Sequence, residues 1–132
     1  MPFEELSHTA DWSLRVWAVD LAHLFVESAR GMNALTGIRL AAKPRVRRTF
    51  STTADDPESL LVSFLSELAF FAEQDHLAFD HFEIQVEDRT LKVEMAGSPM
   101  VSVNKAIKAV TYHNLQIQQT IRGYELEIVF DV

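Results

Sequence analysis

Two stretches of the chain hold residue types that can do chemistry together, and they lie at opposite ends of the sequence. Near the start, His8-Thr9-Ala10-Asp11 precedes an alternating apolar segment; at the other end, Asp131 follows the apolar run Ile128-Val129-Phe130 and Val132 is the last residue. The side chain of Asp131 and the α-carboxylate of Val132 can place three or four oxygens within a few ångströms of one another. If the opening strand pairs beside the closing one, Asp11 joins them. Like charges gathered in a partly desolvated place must lose a proton, meet a cationic side chain or bind a cation. An all-oxygen set suits a hard divalent cation better than a soft transition metal. The bland alternative is that Asp11 caps a local turn and Asp131 faces solvent.

Three further groups bear on this carboxylate set. Lys108, in Ile107-Lys108-Ala109-Val110-Thr111-Tyr112-His113, is a cation amid small and apolar neighbours. It can neutralise the carboxylates or reach a partner's phosphate, and otherwise is a solvated lysine at a strand edge. His8 is a candidate to orient an aspartate or to ligate directly, ranking below both aspartates because a lone histidine more often serves a local hydrogen bond. Tyr112 and His113 are candidate supports for the same site, but neighbours on an extended strand face opposite ways, so one of them is expected to be structural.

Other devices are missing. Four scattered glycines build neither a P-loop nor a dinucleotide fingerprint. No His-Glu-x-x-His pair, twelve-residue calcium loop or Gly-x-Ser-x-Gly turn occurs. An independent metal hydrolase therefore ranks lowest, since nothing familiar activates a nucleophile. With no cysteine, thiolate nucleophiles and sulfur-ligated zinc are excluded.

The elements that must position these residues follow from periodicity. Trp12, Leu14 and Val16 alternate with Ser13 and Arg15, predicting a strand covered on one face. Asp20 fits an N-cap, and Leu21, Leu24, Phe25, Ser28, Ala29 and Met32 recur at helical spacing up to Asn33 to Gly37. Lys43 to Ser51, with Pro44 and three arginines (Arg45, Arg47 and Arg48), predicts an edge strand that is either a soluble face or attracts an acidic partner or RNA. Asp56 and Pro57 open a second helix, whose stripe from Leu60 to Ala72 runs to about Glu73. Phe82 to Glu87 and Thr90 to Met95 predict a hairpin around Asp88-Arg89, broken at Gly97-Ser98-Pro99. Val101 to His113 is ambiguous between a helical turn and extended chain. Leu115 to Thr120 and Tyr124 to Phe130 predict a last hairpin around Arg122-Gly123.

The order strand, helix, strand, helix, then strands without crossover helices predicts an α+β fold. It is a two-layer sandwich with two helices on one face of a mainly antiparallel or mixed sheet. At 132 residues and 48% hydrophobic, residues 1–132 are expected to form one domain. A net charge of −7, from 19 acidic against 12 basic residues, disfavours broad contact with nucleic acid or anionic membrane. The first residues lack the layout of a secretory signal, and no run reaches the roughly 18 apolar residues of a spanning helix, so a cytoplasmic protein is expected.

His8-Thr9-Ala10-Asp11, Leu61 to Phe71, Lys108-Ala109-Val110-Thr111-Tyr112-His113 and the Phe130-Asp131-Val132 end occur in an order that resembles the archease family over nearly the whole chain. Phe64 stands where that family often has tryptophan, and Ser102-Val103-Asn104-Lys105 stands where it often has another histidine. The resemblance implies an accessory protein, not an enzyme: an activator of a GTP-dependent tRNA-splicing RNA ligase that promotes ligase guanylylation and multiple turnover. The ligase performs the phosphoryl transfer, and RNA is met indirectly through it. By the same resemblance, Asp11, Asp131 and Val132 correspond to a binding group for calcium or another divalent cation, and Lys108 to a lysine needed for activation. A general protein chaperone or structural adaptor is the alternative.

Overall fold

The computed structural model describes residues 2–6 and 12–132. Among these residues, nine strands and two helices follow the order β1 (Phe3–Leu6), β2 (Trp12–Ala18), α1 (Leu21–Thr36), β3 (Arg39–Leu40), β4 (Val46–Thr53), α2 (Pro57–Asp75), β5 (Leu77–Glu87), β6 (Thr90–Ser102), β7 (Ala109–Val110), β8 (Gln118–Thr120) and β9 (Gly123–Asp131). This is the α+β architecture expected from the sequence, with the strands divided between two antiparallel sheets. In the first, β9 pairs with β2, β7 and β8, and β1 pairs with β2. In the second, β6 pairs with β3, β4 and β5. No helix among the described residues is long and apolar enough to cross a membrane.

Both helices begin where an aspartate can satisfy orphan amides. Asp20 accepts the His23 amide at 2.7 Å, and Asp56 accepts that of Ser59 at 2.7 Å ahead of Pro57. Helix α1 ends at Gly37, whose φ of 67° is a left-handed conformation that suits glycine. The next chain segment to reach this end is the 103–108 loop: the Asn104 and Lys105 amides donate to the Thr36 carbonyl at 2.9 and 3.2 Å.

Alternation sends Leu14 and Val16 of β2, Leu126, Ile128 and Phe130 of β9, and Leu91, Val93 and Met95 of β6 into one core shared with both helices. Phe64 of α2 is fully buried, 6.4 Å from the Phe25 ring in a stacked arrangement and 5.8 Å from Phe82 edge-on. The core thus joins the two sheets through the helices.

Three sequence expectations are corrected here. Gly97-Ser98-Pro99 does not break the β5–β6 hairpin; β6 continues to Ser102. A Cβ on Gly97 would lie 1.8 Å from the Ala78 carbonyl oxygen, so glycine is what lets the strands close on each other. Pro99 contributes its carbonyl, which accepts from Ala41 at 2.8 Å, and the following Met100 amide donates to His76 at 2.7 Å. Second, only Gln118–Thr120 of the segment from Leu115 is strand, because the Ile117 amide turns away to the Glu58 carboxylate on α2 at 2.9 Å. Third, Tyr112 and His113 are not consecutive strand residues. They sit in a turn closed by Leu115 donating to the Tyr112 carbonyl at 3.0 Å, with Asn114 at φ 55°.

Candidate functional site

The last strand assembles the site. Trp12, the residue after Asp11 in sequence, pairs with Phe130, the residue before Asp131. Strand β2 therefore runs antiparallel to β9, with Trp12 beside the end of the closing strand. Asp11 and His8 themselves lie outside the described residues.

On β9, β7 brings the cation segment alongside. Ala109 pairs with Asp131 and Val110 with Phe130, while the Lys108 amide donates to the Asp131 carbonyl at 2.8 Å. Thr111 locks the far end of this short strand: both its amide, at 3.0 Å, and its hydroxyl, at 2.9 Å, donate to the Val129 carbonyl. Lys108 and Asp131 are thus adjacent in space although 23 positions apart in sequence, both exposed, with Val132 half-buried beside them. Among the described residues neither side chain makes an ion pair, so both are available to an external partner.

Tyr112 is 57% exposed, and His113 contacts the Asn114 side chain at 3.3 Å. The turn carries these two out of the β7 pairing. No cluster of three or more histidine, aspartate or glutamate side chains able to hold a metal forms among the described residues. The described part of the expected ligand set is Asp131 and Val132. Its donor chemistry, carboxylate oxygen, fits a hard divalent cation.

The arginine strand is partly accounted for. Arg45 makes a two-pronged bond with Asp80, at 2.7 and 3.2 Å, and Asp80 occupies the irregularity in β5 between Phe79 and His81. That bond holds the Asp80 carboxyl below the usual carboxylate range. Arg47 and Arg48 remain exposed on β4.

Two features were not found from sequence. Lys105 places its ammonium 5.3 Å from the centroid of the Trp12 ring, over the start of β2. Beside it, a cleft of about 570 Å³ opens between the C-terminal halves of α1 and α2, with Lys105 and Lys108 on its rim. The small residues Ala69 and Ala72, at i and i+3 on α2, were the available signal, since they leave room where larger residues of the same stripe would fill it.

These features define a small two-layer α+β protein with an exposed lysine and an exposed aspartate beside the end of its last strand. Comparison with known proteins gives the family. The family model described as "Archease protein family (MTH1598/TM1083)" matches residues 3–132, and the chain belongs to that family. It is 31% identical to the protein archease of Methanopyrus kandleri over the full length of both chains. To that of Methanosarcina acetivorans it is 30% identical, over 98% of this chain and 95% of the relative. The fold matches the solution structure of Methanobacterium thermoautotrophicum protein 1598, with TM-score 0.72, 22% identity and 99% of each chain covered. It equally matches the crystal structure of a Thermotoga maritima protein described as "an archease, possible chaperone", with TM-score 0.72, 20% identity, and 98% and 96% covered.

Proposed function

We propose that this protein is a cytoplasmic, non-catalytic activator of a GTP-dependent tRNA-splicing RNA ligase. Its working end is Asp11, Asp131, Val132 and Lys108. In this reading the oxygens of Asp11, Asp131 and Val132 hold calcium or another divalent cation, and Lys108 supplies a positive charge to the nucleotide phosphates of the ligase. Guanylylation is a phosphoryl transfer, whose rate depends on placing metal, triphosphate and nucleophile and on compensating charge as it develops. A small protein that delivers a carboxylate and an ammonium on one rigid strand pair can improve that placement without performing the chemistry. The observation that supports this reading is the backbone bond between Lys108 and Asp131, which sets the two residues next to each other in a member of the archease family.

The test is multiple-turnover RNA ligation by the cognate ligase with wild type or Asp131→Asn. The reading expects stimulation by wild type and its loss in the variant. Equal stimulation by the two would remove Asp131 from the mechanism. The word "chaperone" attached to the Thermotoga relative favours a second reading, a general chaperone. Suppression of aggregation across unrelated clients, with no preference for the ligase, would support that instead.

A further inference from the structure

The cleft beside Lys108 has a divided chemistry. Its floor, including Met32, Leu68, Phe79 and Ile107, is apolar. The two polar side chains of α1 that reach it are already engaged: the Asn33 amide donates to the Phe79 carbonyl at 2.8 Å, and the Thr36 hydroxyl to the Met32 carbonyl at 3.0 Å. An occupant therefore meets a floor without free hydrogen-bonding groups and must be apolar where it inserts. The rim differs. Lys105 and Lys108 of the 103–108 loop are exposed there, and among the described lining residues Glu73 of α2 is the one carboxylate, so the mouth is cationic in a chain whose net charge is −7.

We infer that this cleft is the docking site for the ligase partner, receiving an apolar anchor side chain flanked by acidic residues, and that this seating brings the partner's reactive end to Lys108 and Asp131. The inference rests on the activator reading above. Two observations choose this occupant. One is charge complementarity: acidic flanks suit the lysine rim and offset the repulsion that an acidic protein otherwise presents. The other is continuity: Lys108 lines the cleft and its amide holds the Asp131 carbonyl at 2.8 Å, so cleft and site share a residue. Methionine on the floor gives a surface that adapts to an inserted side chain. The loop carrying both lysines is itself fixed to the end of α1 through the Thr36 carbonyl, which presents the rim in a set position.

Titration calorimetry with the purified cognate ligase tests this, using wild type, Ala72→Trp, Lys105→Glu and Asp131→Asn. Ala72→Trp fills the cleft from α2, and Lys105→Glu reverses rim charge at an exposed position, so the second answers the question if the first does not fold. Docking predicts that each of these two weakens ligase binding at least tenfold, and that the Lys105→Glu loss shrinks at high salt. Asp131→Asn, which alters the working end and leaves the cleft intact, is expected to fail to stimulate ligation. Wild-type affinity in both cleft variants, with stimulation intact, would overturn docking here and leave the activator reading standing. A wild type that neither binds nor stimulates the ligase would overturn both. A wild-type dimer that Ala72→Trp dissociates would assign the cleft to a second copy of this chain and overturn the inference.

Discussion

The amide of Lys108 donates to the carbonyl of Asp131 at 2.8 Å, tying the 103–108 loop to the end of the last strand. The bond uses backbone atoms only, so the two side chains stay exposed and free for a partner. Stability and the proposed function at this point are therefore separable by substitution.

Lys108→Ala keeps the amide and is expected to change stability by less than about 0.5 kcal/mol while abolishing stimulation of ligase guanylylation. Lys108→Pro removes the donor as well, and should lower stability by about 1 kcal/mol or more. Formation of the ligase–GMP adduct and urea denaturation read the two effects. Full guanylylation with Lys108→Ala would return this lysine to an ordinary surface role.

Cation binding has its own readout. At a hundredfold excess over its dissociation constant, a divalent cation held by the folded state alone adds about 2.7 kcal/mol of stability. Calcium, magnesium and manganese tested in turn should include one that raises the wild-type melting temperature and does not raise that of Asp131→Asn. Three flat responses would mean that the terminal carboxylates bind no metal.

Gly97→Ala is expected to destabilise the fold by about 3 kcal/mol, because the added methyl meets a backbone oxygen that cannot swing aside. Phe64→Ala should cost about 3–5 kcal/mol, since it empties the contact between Phe25 and Phe82. Phe64→Leu, which keeps most of the volume, should cost less. Denaturant midpoints order the three variants.

The Arg45–Asp80 pair gives a pH dependence of known sign. The arginine lowers the Asp80 pKa in the folded state, so its contribution to stability is complete above the unfolded value of about 3.9 and is lost as pH falls through the folded value. Asp80→Asn should therefore melt below wild type at pH 7, with the gap closing as pH drops below about 4. A gap that widens in acid would contradict the assignment. Asp20 and Asp56, whose carboxyls are lowered by the amides they accept, add to the same acid sensitivity.

Much of this molecule was legible in the chain because the signals are local. Asp20 and Asp56-Pro57 set helix starts, Gly37 set a helix end, and period-two alternation marked β2, β9 and the core of the β5–β6 hairpin. The residue types at Asp131 and Lys108 also named the chemistry of the candidate site. What misled were residues whose meaning depends on a distant neighbour. Gly97 reads as a break until the Ala78 carbonyl is placed against it, and Leu115 to Ile117 reads as strand until Glu58 draws off the Ile117 amide.

Sequence by itself thus determined both helices and the longer strands, the family resemblance and the identity of the chemical groups, since propensity, capping and periodicity act within a few residues. Tertiary structure decided that Lys108 stands beside Asp131 rather than elsewhere on the surface, that the strands divide into two sheets, and that a cleft opens beneath the 103–108 loop. Those outcomes depend on strand register and on which backbone donors find acceptors across long separations, and the cost of leaving a buried amide unpaired is what selects among the alternatives.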